Sequence, residues 1–112
     1  MSRFAPGPGG FLALLMMAFP AAGEPAADPQ RRAALLHMVR QDCGSCHGLT
    51  LKGGLGPPLL PGTLKDKDRA GLAYTILYGR PGTAMPPWKD FVSEAEAHWI
   101  VEQLMKGLPD ER

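Results

Sequence analysis

Apolar residues recur at helical spacing in three stretches of this chain, and Gly and Pro break up what lies between them. Leu35, Leu36, Val39 and Cys43 share one face of a helix. That helix starts at Asp28-Pro29, an N-cap Asp followed by Pro at the first helical position, and the pattern predicts its end near Gly44. Leu72, Ala73 and Ile76 mark a second helix from about Asp68 to Tyr78, stopped by Gly79. Ala97, Ile100, Val101, Leu104 and Met105 stand at i, i+3, i+4, i+7 and i+8 of a third. It opens on a capping box, Ser93 to Glu96, and closes at Gly107 and Pro109. No strand alternation and no internal repeat interrupts this pattern. The expectation is an all-α domain of three to four short helices joined by ordered loops.

Two of the loops are unusual. Residues 48–62, "GLTLKGGLGPPLLPG", carry too much Gly and Pro for a helix or a regular strand. They also carry Leu49, Leu51, Leu55, Leu59 and Leu60, too many leucines for a loop surrounded by water. These side chains need an apolar partner that the loop itself does not offer, such as a ligand ring. Residues 80–88, "RPGTAMPPW", place three prolines around a single methionine.

The N-terminal 23 residues read as a removable export signal. Arg3 supplies the positive region, Phe11 to Phe19 the apolar run, and Ala21-Ala22-Gly23 the small residues before cleavage. The apolar run is shorter than the roughly 20 residues of a membrane span, so no stable membrane insertion is expected after its removal. Residues 24–28 then form a flexible leader, and residues 29–112 the domain. The mature chain has 112 − 23 = 89 residues, with 11 basic against 11 acidic side chains once Arg3 is gone. A neutral chain without a basic run is a poor nucleic-acid partner. So small a domain, with 14 Gly and 12 Pro in the whole chain, needs a staple such as a disulfide, a metal or a cofactor.

Both cysteines lie in "CGSCH", Cys43 to His47. A zinc site needs three or four converging ligands, and the adjacent Cys46 and His47 are badly placed to share one tetrahedral ion. His37 and His98 sit in predicted helices with no ligand pattern around them. A thioredoxin-like dithiol begins a helix after a strand, whereas here a helix precedes the pair and a glycine loop follows. C-x-x-C-H is also the attachment signal for c-type haem. There the two thiols bond the vinyl groups, and the histidine that follows ligates the iron. That reading assigns a role to every residue of the motif.

Haem also predicts features elsewhere. Met85, in a proline-locked loop with no helical face, is the candidate for the sixth ligand. Met38 lies too close to Cys43 on the same helix, and Met105 reads as core. The second N–H of His47 needs a fixed acceptor, and the Pro57 carbonyl is near in sequence. Leu59 and the other loop leucines gain their apolar partner. Trp88 and Arg80 flank the methionine loop and are candidates for the haem propionates. The implied group is one covalent haem c: Cys43 and Cys46 attach it, His47 and Met85 ligate its iron, and Pro57, Leu59, Arg80 and Trp88 surround it.

These motifs identify a family. The chain resembles class I c-type cytochromes over residues 29–108, with C-x-x-C-H after a first helix, Gly56-Pro57-Pro58-Leu59, a methionine-proline loop and a terminal helix. "VRQDCGSCHGLTLKGGLGPPL" and "ILYGRPGTAMPPW" are similar to the small periplasmic NirC-type monohaem cytochromes that accompany cd-type nitrite reductase. The resemblance implies a monomeric periplasmic carrier of single electrons, filled by an upstream donor and emptied into that reductase, and not an enzyme. It leaves open a part in maturing d-type haem, and a labile Met85 would instead suit a haem-based ligand sensor. One departure stands out: such cytochromes pack an aromatic near the end of the last helix against the first, and here that position is Gln103, with Trp99 one turn earlier.

Overall fold

The structure, a computed structural model, describes residues 2–3, 7–10, 13–16 and 28–109. The region of the expected cleavage site and nearly all of the leader lie outside the described residues. Five helices follow in order: α1 (Pro29–Met38), α2 (Gly44–His47), α3 (Pro61–Leu64), α4 (Arg69–Tyr78) and α5 (Glu94–Lys106). There is no strand among the described residues.

Each long helix begins on the cap its sequence announces. The Asp28 side chain accepts from the Gln30 N–H at 3.0 Å, and Asp68 accepts from the Gly71 N–H at 2.8 Å. Ser93 and Glu96 close the capping box: the Glu96 N–H donates to Ser93 Oγ at 3.1 Å and the Ser93 N–H to Glu96 Oε1 at 2.9 Å. Glu96 also takes a two-pronged contact from Arg31, through Nε to Oε2 and through Nη2 to Oε1. The same Nη2 donates to the Phe91 carbonyl at 2.9 Å. One guanidinium therefore ties the start of α1 to the start of α5. The hydrogen bond from Arg31 to Glu96, above all, holds the Glu96 carboxyl below its ordinary range.

The core joins Leu35 and Val39 of α1 to Ala73 and Leu77 of α4 and to Ala97, Ile100, Val101 and Leu104 of α5, with Leu51, Leu64 and Val92 from the connections. α5 packs mainly on α4 and α3. Removing a fully buried side chain the size of Leu35 from water contributes about 2 kcal/mol. Trp99 packs partly against this core, while Gln103 joins it in lining a shallow groove of ≈ 310 Å³ between α1 and α5. The polar residue at 103 thus leaves that junction open.

Three expectations are corrected. The first helix does not end at Gly44: a π turn, Val39–Cys43, carries it on into α2 as far as His47. The glycine-proline loop is not wholly irregular, since Pro61–Leu64 forms one helical turn with Pro at its start. Leu51 finds its apolar partner in the core and not in a ligand, being 7% exposed, while Leu59 is half-buried against the core. Leu51 reaches its place at a φ of 58°, a left-handed conformation that burial holds against its strain.

Candidate haem site

The C-x-x-C-H segment sits where the helix changes character. A π turn takes one more residue per turn than an α-helix, so it rotates the face that follows. Leu35 before it and Val39 at its first position are buried in the core; Cys43 at its end, and Cys46 and His47 after it, are half-buried. Neither cysteine is paired in a disulfide. Burial, with help from Asp42 and Cys46, pushes the Cys43 thiol up to about 11. A redox dithiol needs the opposite, a stabilised thiolate. No group of three or more His, Cys, Asp and Glu residues converges as a metal site among the described residues.

The loop after His47 folds back on the end of α2. The Gly53 N–H donates to the His47 carbonyl and the Gly56 N–H to the Cys46 carbonyl, each at 2.8 Å. These bonds satisfy the carbonyls that a helix end leaves without partners. They also deliver the Pro57 carbonyl to 2.7 Å from His47 Nδ1. A carbonyl only accepts, so Nδ1 carries the proton and the Nε2 lone pair is left available to a metal. Gly56 completes the setting. A side chain on it would lie 2.7 Å from His47 Nδ1 and Cε1, so the imidazole occupies the space the glycine leaves. Sequence reasoning singled out Pro57 but missed this role of Gly56; a Gly directly before the acceptor was the only signal.

Met85 is half-buried in the loop after α4. Backbone bonds tie the loop to the end of α4, Trp88 N–H to the Ile76 carbonyl at 3.0 Å and Lys89 N–H to the Leu77 carbonyl at 3.1 Å, and the Arg80 N–H closes it on the Met85 carbonyl at 3.1 Å. Thr83 Oγ donates to the Arg80 carbonyl at 2.7 Å and accepts from the Met85 N–H at 3.3 Å. Arg80 and Met85 therefore meet through the backbone, with Arg80 exposed. Trp88 packs partly on the core and stands 5.6 Å from the Phe91 ring. His37 and His98 are exposed on their helices, and Met105 packs on the core.

Large apolar side chains stay bare in the polypeptide alone, among them Leu49 at 71% and Leu55 at 89% exposure in the loop after His47, with Tyr74 and Tyr78 on α4. Two free thiols, a histidine with one nitrogen fixed as donor, and uncovered apolar side chains in the adjoining loop fit a covalently attached haem. The groove at Trp99 and Gln103 has none of these groups in its lining.

Comparison with known proteins agrees with this chemistry. The sequence matches the family described as cytochrome C oxidase, cbb3-type, subunit III, over residues 20–103. Cytochrome c55X of Pseudomonas aeruginosa is 54% identical over 80 residues, which cover 71% of this chain and 67% of that protein. The solved structure of c-type cytochrome NirC aligns with a TM-score of 0.71 at 52% identity, over 72% of this chain and 95% of that one. Dihydro-heme d1 dehydrogenase of Pseudomonas aeruginosa is 35% identical over 100 residues, 89% of this chain but 19% of that protein, so the likeness is to one part of a longer chain. With the family match spanning most of its length and a single C-x-x-C-H in its sequence, this chain belongs to the c-type cytochromes and carries one covalently bound haem c.

Proposed function

We propose that the protein is an exported, periplasmic carrier of single electrons, in which Cys43 and Cys46 hold the haem by thioethers and His47 and Met85 are the axial ligands. Residues 1–23 act as its signal and residues 29–112 as its single domain. When bound, the haem supplies a one-electron couple. The chain's own part is to hold that couple still. Pro57 fixes the imidazole tautomer and orientation, Cys43 and Cys46 would hold the haem covalently, and Met85, as the second iron ligand, would leave no open position for a substrate. The observation that carries this reading is the 2.7 Å bond from His47 Nδ1 to the Pro57 carbonyl, directly beside two free thiols. The visible spectrum of the purified mature protein tests it. The oxidised form is expected to show a sulfur–iron charge-transfer band that Met85→Ala removes. A band that survives this substitution rules out Met85 as the ligand. Slow carbon monoxide binding by the ferrous protein is the matching expectation, and rapid binding at neutral pH would favour a ligand sensor.

The partner we propose is cd-type nitrite reductase, on the likeness to NirC. A second reading, a part in the maturation of d-type haem, is favoured by the likeness to dihydro-heme d1 dehydrogenase. A deletion strain separates the two. A reductase that lacks d-type haem supports maturation; a reductase that is complete but starved of electrons supports the carrier.

A further inference from the structure

The end of α4 holds a glycine in a setting that no other residue tolerates. Gly79 has φ 69° and ψ −168°, a backbone region essentially closed to residues with a side chain. It is buried, and its N–H donates to the Thr75 carbonyl at 2.8 Å. A Cβ on Gly79 would lie 2.5 Å from the Met85 carbonyl oxygen, 2.7 Å from the Pro86 carbonyl carbon and 2.9 Å from the Pro87 nitrogen. All three atoms belong to the backbone, and real Cβ atoms do not approach so closely. The segment they form is stiff. Pro86 and Pro87 each have φ locked by a ring, and each proline also restricts the residue before it, which for Pro86 is Met85. Local adjustment therefore cannot absorb a side chain at 79. The oxygen it would strike is also the one that accepts the Arg80 N–H, so the bond that closes the loop would go with it.

We propose that Gly79 is the positioning residue for Met85: its bare Cα is the seat on which the Met85-Pro86-Pro87 backbone rests. This rests on the reading of Met85 as an axial ligand. A side chain at 79 moves the methionine backbone outward, and the methionine sulfur moves with it. His47, at the end of α2 and held there by its own contacts, is not displaced.

The same loop contains its own control. Gly82 also has a positive φ, 79°, but a Cβ there faces open space, with nothing within 4 Å. Gly82→Ala imposes backbone strain on the loop without the collision. The mature, haem-loaded wild type, Gly79→Ala, Gly82→Ala, Met85→Ala and the double variant Gly79→Ala/Met85→Ala are compared by the charge-transfer band of the oxidised form and by imidazole affinity. Gly79→Ala is expected to lose the band. Its apparent affinity for imidazole should rise about tenfold or more, because the iron no longer has to shed its sulfur ligand first. Gly82→Ala is expected to retain the band and the wild-type affinity. In the Met85→Ala background, Gly79→Ala should add no further change.

A band that persists in Gly79→Ala, or that is lost equally in Gly82→Ala, overturns the proposal. So does a double variant that fails to accumulate with haem, since Gly79 would then serve the fold rather than the methionine. A wild type without the band instead refutes the ligand reading on which the proposal stands, and the two failures are thereby told apart.

Discussion

The loop after His47 and the loop around Met85 are built differently. The loop after His47 controls the side chain itself. Its backbone caps α2, its Pro57 carbonyl receives the imidazole N–H, and Gly56 leaves the space in which the ring lies. The loop around Met85 controls only backbone. Trp88 and Lys89 anchor it to α4, the Arg80 N–H closes it on the Met85 carbonyl, Gly79 seats it, and the methionine side chain, a thioether, is a weak acceptor with no hydrogen bond among the described residues. A histidine can be oriented through its second nitrogen; a thioether has no second donor by which to be held. The protein therefore places the methionine by shaping the chain on either side of it. It follows that the methionine side should give way first when the fold is stressed.

The largest effect should come from filling the space behind the imidazole. Gly56→Ala is expected to cost about 3 kcal/mol by overpacking against a ring that its own hydrogen bond holds in place, read as a lower denaturant midpoint. If its stability and haem loading match the wild type, the tight seat on the histidine side is not what the geometry indicates. A smaller loss is expected at the α1–α5 tie. Glu96→Ala removes both the capping-box bond to Ser93 and the pair with Arg31, for about 2 kcal/mol, with the pair itself discounted because Arg31 is well exposed. Glu96→Gln keeps the cap and should recover about half of that. Because the folded carboxyl titrates below its unfolded value, this contribution is fully present above the unfolded value and fades as pH falls through the folded one. Acid denaturation of Glu96→Gln should be correspondingly less steep. Both changes lie away from the methionine loop, so the charge-transfer band should survive in both folded variants.

The order of loss tests the comparison directly. In a guanidinium titration the charge-transfer band should vanish before the helical circular dichroism, as a local opening of the methionine loop. Coincident transitions would place both loops in one cooperative unit. The smallest effect is expected from Thr83→Val, which deletes one good and one long hydrogen bond inside that loop. It should cost about 0.5–1 kcal/mol and move the midpoint of band loss, leaving the midpoint of the helices nearly unchanged.

The parts legible in the sequence are those that local chemistry decides. Asp28-Pro29, Asp68 and Ser93–Glu96 announced their helices because a cap is satisfied within three residues. Ala97, Ile100, Val101 and Leu104 announced a buried face because helical period alone brings them together. C-x-x-C-H named its cofactor because the spacing matches covalent chemistry. The leucines of the glycine-proline loop were harder. Period does not apply in a loop, so nothing local distinguished Leu51, which goes to the core, from Leu55, which stays bare. The continuation of helix through Cys43–His47 was likewise hidden. Gly44 reads as a stop, yet the chain takes a π turn and later residues return to cap it.

By itself, then, the sequence determined the helical class, the caps and the haem type, because each follows from residue type and short-range spacing. Only the tertiary structure decided which glycine lies against which segment. Gly56 and Gly79 look like any turn glycine along the chain. What makes them necessary is the approach of the His47 ring in one case and of the Met85-Pro87 backbone in the other, and close approach is a property of the folded chain alone.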